Sequence, residues 1–385
     1  MPEDVFTQLS WFRKEQVATA HVLVVGCGAL GNEVLKNLAL FGIQHIILVD
    51  FDHVEASNLS RSILFRQEDA EKGHYKVDVA KERLKELNPS IEIQTICGDI
   101  AYEVGLGWYR DADVIIGCVD NRWARYCINR HCMRTNKPWV DGGIDGLEGT
   151  VRVFIPGINC YACNLGQEGL ADLARRMPCS GIIRRNEEAG RVATTPVIAS
   201  IIGAVQVQEA MKIIHGAHNK TQNDEFTSLC GKMFYYEGQH LTTKTVSFRA
   251  YDEDCPVHER WEPIDNSNIT INMTVANCLQ MLREQYHTEP QVVLKDCFVD
   301  YVESKRTGEQ VLVMCTGRKV AETIDRKTAL RGYQLSELYQ HEYSVLDNGF
   351  PYQELTLEQV GIPQRDILQV HTDKQDKYIE LKAEV

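Results

Sequence analysis

The sequence predicts an α/β protein: a doubly wound, mostly parallel, Rossmann-like sheet followed by a smaller α+β unit. Three observations carry that expectation. Short β-rich apolar runs alternate with amphipathic stretches up to about residue 155. A glycine turn, "GCGALG" at residues 26–31, separates the first run from the helical stretch behind it. An acid, Asp50, closes the second run, where such sheets place a ribose-binding carboxylate.

In chain order, "HVLVV" (21–25), "HIILVD" (45–50), "IEIQTIC" (91–97), "DVIIGCVD" (113–120) and "PWVDGG" (138–143) read as strands, and "TVRVFIPG" (150–157) adds another. "TPVIASIIGAVQVQEAMKIIHG" (195–216) is a long apolar helix ended by Gly216, and the polar run "GAHNKTQNDE" is a loop. Past "CPVHERWEPIDNSN" the character changes. "TVANCLQMLREQY" (274–286) is an amphipathic helix, while "QVVLKDCFVDYV", "EQVLVMC" and "DILQVHT" are strands of a separate unit. Two domains are expected, 1–260 and 261–385, with no internal repeat.

Of the 385 residues, 44% are apolar, in runs that fall short of the roughly 20 uncharged residues a bilayer crossing needs. The N-terminal stretch has no signal-peptide core, so a cytoplasmic location without membrane attachment is expected. A net charge of −13 repels phosphate backbones and argues against a nucleic-acid partner. Thirteen cysteines in such a chain are expected to be reduced, which favours metal binding or catalysis over disulfides.

Gly26, Gly28 and Gly31, with Ala29 and Leu30 between them, permit a tight turn that presents backbone N–H groups and a helix N-terminus to a phosphate. Asp50 then serves NAD, FAD or ATP equally. "SNLSR" adds Asn58 and Arg61, and "GHYKVDVAKERL" adds Lys76 at the next helix start. Taken singly, each reads as a surface charge or helix cap. Together, two cations and an amide suit a triphosphate whose leaving pyrophosphate gathers charge. Asp120, at the end of "DVIIGCVD", can hold the Mg²⁺ such chemistry uses.

A second signal is metallic. "CYAC" gives Cys160 and Cys163, and "CPVH" gives Cys255 and His258, two ligand pairs that together make a tetrahedral, structural zinc set. Cys230 and Cys179 compete for places in it. Cys97, Cys118 and Cys127 lie in apolar runs and are expected to be small core residues.

"VVGCGALGNEVLKNLALFGI", "LVDFDHVEASNLSRSILF", "CVDNRWARYCINRHC" and "VDGGIDGLEGTVRVFIPGINCYAC" resemble the adenylation domain of ubiquitin-like-protein activating enzymes, most of all the eukaryotic catalytic subunits. A more distant likeness runs to bacterial adenylyltransferases of thiamine and molybdopterin synthesis. The resemblance covers about residues 15–260 and implies ATP rather than NAD. By it, residues 26–31 with Asp50 and Asp52 hold ATP, Asn58, Arg61 and Lys76 hold its phosphates, and Asp120, Asn121 and Arg125 complete the Mg·ATP pocket.

The implied reaction joins the C-terminal carboxylate of a ubiquitin-like protein to the α-phosphorus of ATP and releases pyrophosphate. "DGGIDGLEGTV" offers glycines for close approach of that extended tail, or reads as an ordinary turn. "RMPCSGIIRRN" resembles the segment that carries the thioester cysteine, which makes Cys179 the candidate nucleophile, with Arg175, Arg176, Arg184 and Arg185 near it in sequence. Ser180 stands where the family has threonine and opens an oxyester alternative. The C-terminal segment "NGFPYQELTLEQVGIPQRDILQVHT" resembles the end of a β-grasp, ubiquitin-fold domain that recruits a conjugating enzyme; a dimerising or stabilising role is the alternative.

Three departures from the family stand out. His258 takes a usual cysteine's place, only Arg13 is available as an N-terminal arginine, and a short segment (164–194) replaces the large cysteine domain. The compact form implies a homodimer. Competing functions are sulfur-carrier activation without a thioester, an NAD-dependent oxidoreductase, and a non-catalytic scaffold.

Overall fold

The computed structural model describes residues 5–176, 194–216, 227–249, 251–327 and 333–383. Within them the chain divides into two compact units: residues 5–101, 108–167 and 194–260 form the first, and residues 102–107, 168–176 and 261–383 the second.

A short helix α1 (Lys14–Thr19) leads into β1 (His21–Val25), whose apolar, mostly β-branched residues 22–25 are buried, as suits a strand covered on both faces. Gly28 begins α2 (Ala29–Phe41), and Gly42, with φ +92°, ends it in the left-handed conformation that glycine adopts without penalty. There follow β2 (His45–Val49), α3 (Gln67–Lys72), α4 (Lys76–Leu87), β3 (Glu92–Ile96), α5 (Leu106–Asp111) and β4 (Val114–Gly117). Asn121 caps α6 (Arg122–Thr135) by accepting the Ala124 N–H at 2.7 Å. β5 (Trp139–Asp145) and β6 (Glu148–Phe154) come next, then α7 (Tyr161–Arg176), which is broken at Gly166. Thr195 caps α8 (Pro196–Ile214), with Pro196 in the first turn where a missing N–H does no harm. The first unit closes with the hairpin β7 (Lys232–Glu237) and β8 (Thr242–Ser247).

Its eight-stranded sheet has the order β3-β2-β1-β4-β5-β6-β7-β8. Pairing is parallel from β3 to β5 and antiparallel from β5 to β8. The order reverses at β1, between β2 and β4, and this leaves a crevice at their carboxyl ends. Trp139 and Phe154 stack at 4.8 Å in the core of the unit.

α8 is long and apolar enough to cross a membrane. It packs instead on α2, β5 and β6 and carries the buried polar residues Gln206 and Glu209. The hairpin β7–β8 was not anticipated: every residue of β8 is exposed, so no alternation of apolar and polar positions marks it in the sequence.

In the second unit, β9 (Ile264–Asn266) and α9 (Val275–Tyr286) precede β10 (Gln291–Ser304), β11 (Gln310–Thr316), α10 (Val320–Arg326), β12 (Leu338–Leu346), β13 (Ile367–His371) and β14 (Asp376–Glu380). The six strands form one sheet in the order β11-β10-β13-β14-β9, with β12 also on β10. First strand β9 runs parallel to last strand β14. α9 buries Val275, Cys278, Leu279 and Leu282 against Val292, Phe298 and Ile379. A bulge between Val299 and Tyr301 accompanies the buried Asp300, whose carboxylate accepts from His341 Nδ1 and the Tyr343 and Tyr352 hydroxyls.

Candidate nucleotide site and metal centre

The turn after β1 is glycine-rich for three separate reasons. Gly26 has φ +98°, and a Cβ there would overlap the Cys118 carbonyl. A Cβ at Gly31 would run into the Gly26 carbonyl, so that glycine allows α2 to close on β1. Gly28 differs, because a Cβ there would meet nothing within 4 Å. Open space therefore lies over the first turn of α2, whose N–H groups and positive dipole end suit an anion. Ala29 and Leu30 are buried beneath it.

Asp50 frames this turn. Its Oδ2 accepts the Cys27 N–H at 2.6 Å and its Oδ1 the Asp52 N–H at 2.8 Å. Burial lifts its carboxyl above the usual range, against the opposing pull of Lys76 and the two N–H donors. Lys76, the first residue of α4, sits with Nζ 2.8 Å from Asp52 Oδ2. Burial pushes its ammonium down, but Asp50 and Asp52 outweigh that and hold it above the ordinary lysine value.

The remaining expected residues are placed less directly. Asn58 Oδ1 accepts the Glu55 N–H and caps its own turn, and Arg61 donates to the Ser57 carbonyl at 2.9 Å. Asp120 is exposed just past the end of β4, with the Asn121 amide 3.3 Å away. Arg125 is engaged as a strut. It bonds Asp141 at 3.0 Å and the carbonyls of Val119 and Gly142, while Arg152 pairs with the other Asp141 oxygen. Arg13 gives its backbone N–H to His215 Nε2 at 3.0 Å, and its guanidinium bonds the Ser10 carbonyl.

One residue beside the turn is not among those singled out from the sequence. Asn32, fully buried on α2, donates to the Cys27 and Gly28 carbonyls at 2.9 Å each and accepts the Leu64 N–H at 2.9 Å. It ties the glycine turn to the chain that follows "SNLSR". An asparagine one residue past a glycine turn is the signal that would have found it.

The glycines of "DGGIDGLEG" receive a packing explanation. A Cβ at Gly142 would overlap the Gln206 side chain, and one at Gly149 would overlap Ile202, so both let α8 lie close on β5 and β6.

Cys160, Cys163, Cys255 and His258 converge, with their ligand atoms all within 4.8 Å of one another. Around a tetrahedral zinc with Zn–S near 2.3 Å, neighbouring sulfurs lie about 3.8 Å apart, so the set fits that ion after a small contraction. Cys163 Sγ and His258 Nε2 are already 3.4 Å apart. Asn129 supports the centre by donating to Cys160 Sγ at 3.2 Å and accepting the Tyr161 N–H, and Tyr251 stacks on the His258 ring at 3.8 Å. Arg134 holds the neighbouring Glu259 through two bonds, at 3.0 and 2.7 Å. Among the described residues Cys230 is not in this group, and Cys179 and Ser180 lie outside the described residues with Arg184 and Arg185. Cys118 and Cys127 are buried as expected, whereas Cys97 is exposed at the end of its strand, so its place in an apolar run misled.

Comparison with known proteins agrees with this architecture. The model of the ThiF family matches residues 8–257. The SAMP-activating enzyme E1 of Haloferax volcanii is 28% identical over 63% of this chain and 81% of its own. The sulfur carrier protein adenylyltransferase of Thermus thermophilus is 30% identical over 63% and 84%, respectively. The SUMO-activating enzyme subunit uba-2 of Caenorhabditis elegans is 35% identical over 40% of this chain, but that match spans only 27% of the relative. Escherichia coli MccB, solved with ATP, shares the fold with a TM-score of 0.50 and 23% identity over 64% of this chain and 68% of that one.

Proposed function

The chain belongs to the ThiF family, and from that premise we propose that it uses ATP to adenylate the C-terminal carboxylate of a ubiquitin-like or sulfur-carrier protein. The observation that carries this reading is the open space over Gly28 at the head of α2, bordered by the Asp50 frame and the charged Lys76. That is a cradle for a nucleotide phosphate with a cation beside it. A hydride-transferring enzyme has little use for such a cation, and the family match lends the nicotinamide alternative no support.

In this reading the carboxylate attacks the α-phosphorus, the bond to the β-phosphate oxygen breaks, and pyrophosphate leaves. Positioning and charge stabilisation supply most of the rate. The N–H groups of the α2 head and Lys76 hold the phosphates, Arg61 and Asn58 would have to leave the Ser57 carbonyl and the Glu55 N–H to reach them, and Asp50 orients the ribose. Asp120 is the residue that would hold Mg²⁺, which neutralises phosphate charge when bound. Zinc at Cys160, Cys163, Cys255 and His258 is structural, because the protein fills all four positions.

The finer reading is a two-step activating enzyme. The modifier passes from the adenylate to Cys179 as a thioester and then to a conjugating enzyme recruited by the β-grasp-like second unit. The enzyme works as a cytoplasmic homodimer. Sulfur-carrier activation without a thioester is the second reading, favoured by the match to 84% of the Thermus thermophilus relative.

Pyrophosphate exchange into ATP, measured with candidate modifiers and with versions lacking the C-terminal glycine, tests the common step. Exchange that needs the C-terminal glycine supports it. Absence of exchange with every candidate, alongside tight NAD binding, would reject it.

A further inference from the structure

Lys76 is an awkward cation where it stands. It is the first residue of a helix, where the macrodipole disfavours positive charge, and its side chain is only 9% exposed. Such a charge needs a counter-ion. Three titratable groups face it from the elements around it: Cys27 from the turn after β1, and Asp50 and Asp52 from the segment after β2.

These groups are not equivalent. Burial and the Asp50 charge push the Cys27 thiol well up, so it stays neutral. Asp50 has both oxygens committed to backbone N–H groups, one from Cys27 and one from Asp52. Among the described residues Asp52 is the one whose side chain bonds the ammonium, at 2.8 Å, and its carbonyl also accepts the Lys76 backbone N–H at 2.9 Å. The Asp52 side chain is 55% exposed. It can therefore turn to water when a phosphate arrives, without leaving a buried charge unpaired.

We infer that Asp52 is a positioning residue for Lys76: it holds the ammonium beside the glycine turn while the site is empty and yields it to the nucleotide's phosphates on binding. This rests on the adenylating reading above and assigns Asp52 to the lysine rather than to the nucleotide. Asp50 shapes the turn, and Asp52 aims the cation. Without Asp52, Lys76 keeps the field of Asp50, the largest single upward influence on it, but loses its 2.8 Å hydrogen bond, so the ammonium becomes more acidic and less fixed in direction.

The test uses the full chain, wild type and Asp52→Asn, with lysines ¹³C-methylated reductively and titrated by NMR, the Lys76 resonance being assigned by its loss in Lys76→Arg. Asp52→Asn is expected to lower the proton affinity of Lys76 about tenfold, and Asp52→Glu to restore most of it. In pyrophosphate exchange, Asp52→Asn is expected to shift KM for ATP severalfold and to move the alkaline limb of the rate profile to lower pH, both of which Asp52→Glu should largely reverse. An unchanged Lys76 titration in Asp52→Asn overturns the inference, as does a lowered titration with unchanged KM. If the wild-type chain exchanges no pyrophosphate with any modifier, it is the adenylating reading that fails, and the NMR titration still decides the coupling of Asp52 to Lys76.

Discussion

The side-chain oxygen of Asn32 accepts the Leu64 backbone N–H at 2.9 Å, while the amide nitrogen of the same residue is given to the carbonyls of Cys27 and Gly28. One buried amide thus fixes both the glycine turn and the return of the chain after the cationic loop. Asn32→Ala takes their side-chain partner from the Cys27 carbonyl and the Leu64 N–H, while the Gly28 carbonyl keeps the backbone N–H of residue 32, and each buried group left unpaired costs about 1–3 kcal/mol. We expect a stability loss of about 2–4 kcal/mol in denaturant unfolding, with weaker ATP binding at temperatures where the variant is folded. A variant with wild-type stability would show that Asn32 is not the tie.

Gly142 separates two accounts of the "DGGIDGLEG" segment. If it serves the packing of Gln206 and α8, Gly142→Ala should destabilise the chain by about 1–3 kcal/mol through overpacking and leave KM for the modifier unchanged at permissive temperature. If it lines the path of a substrate tail, KM should rise while stability holds. Thermal melts and exchange kinetics on the same preparation distinguish the two.

How much of this was legible in the sequence depends on which interactions are local. The parallel half of the sheet was, because buried strands such as "HVLVV" and "DVIIG" are unbroken apolar runs between helices of clear periodicity. The convergence of Cys160, Cys163, Cys255 and His258 was legible because metal chemistry restricts ligand type and spacing. The hairpin at 232–247 was not, since neither of its strands alternates buried with exposed residues. Nor was the engagement of Arg125 with Asp141. Its sequence neighbours place it beside a nucleotide, but the partner lies on β5, 16 residues on, and only the packing of α6 on β4 and β5 brings them together. Asn32 was silent for the same reason, because its Leu64 partner is distant in sequence.

The four converging ligands imply a metal content. The purified chain is expected to hold about one equivalent of zinc by atomic emission, and Cys163→Ser to lose it. Structural zinc contributes several kcal/mol or more to folding, so chelation should produce a large drop in Tm that added zinc reverses in the wild type only. Full occupancy in Cys163→Ser would reject the assignment.

Lys76 also predicts a pH dependence of stability. Its charged form is favoured in the folded chain, so its affinity for the proton is higher folded than unfolded. The stabilisation is therefore complete below the unfolded lysine value and is lost as pH rises through the higher folded value. Asp50 is the first cause of the lift and Asp52 the next; because the burial of Lys76 works against both and Asp52 is more than half exposed, the gain is modest, about 0.5–1 kcal/mol. The stability difference between wild type and Lys76→Gln, measured by urea unfolding, should be constant from neutral pH to mildly alkaline pH and then shrink. A difference that grows with alkalinity would contradict the ion pair.

The covalent step divides the two-step reading from simple adenylation. A thiol attacks only as thiolate, and on the two-step reading proposed above the arginines flanking Cys179 in sequence would be the source of positive charge that favours that form. Incubation with ATP and the cognate modifier is expected to give a covalent adduct that reducing agent cleaves, and Cys179→Ala should abolish the adduct while pyrophosphate exchange stays within about threefold of wild type. Retained exchange matters, because it shows the adenylation site intact and confines the defect to the second step. An adduct that survives in Cys179→Ala, resists thiols and yields to hydroxide would move the attachment to Ser180. No adduct under conditions of full exchange would leave an enzyme that stops at the adenylate, as sulfur-carrier activation requires.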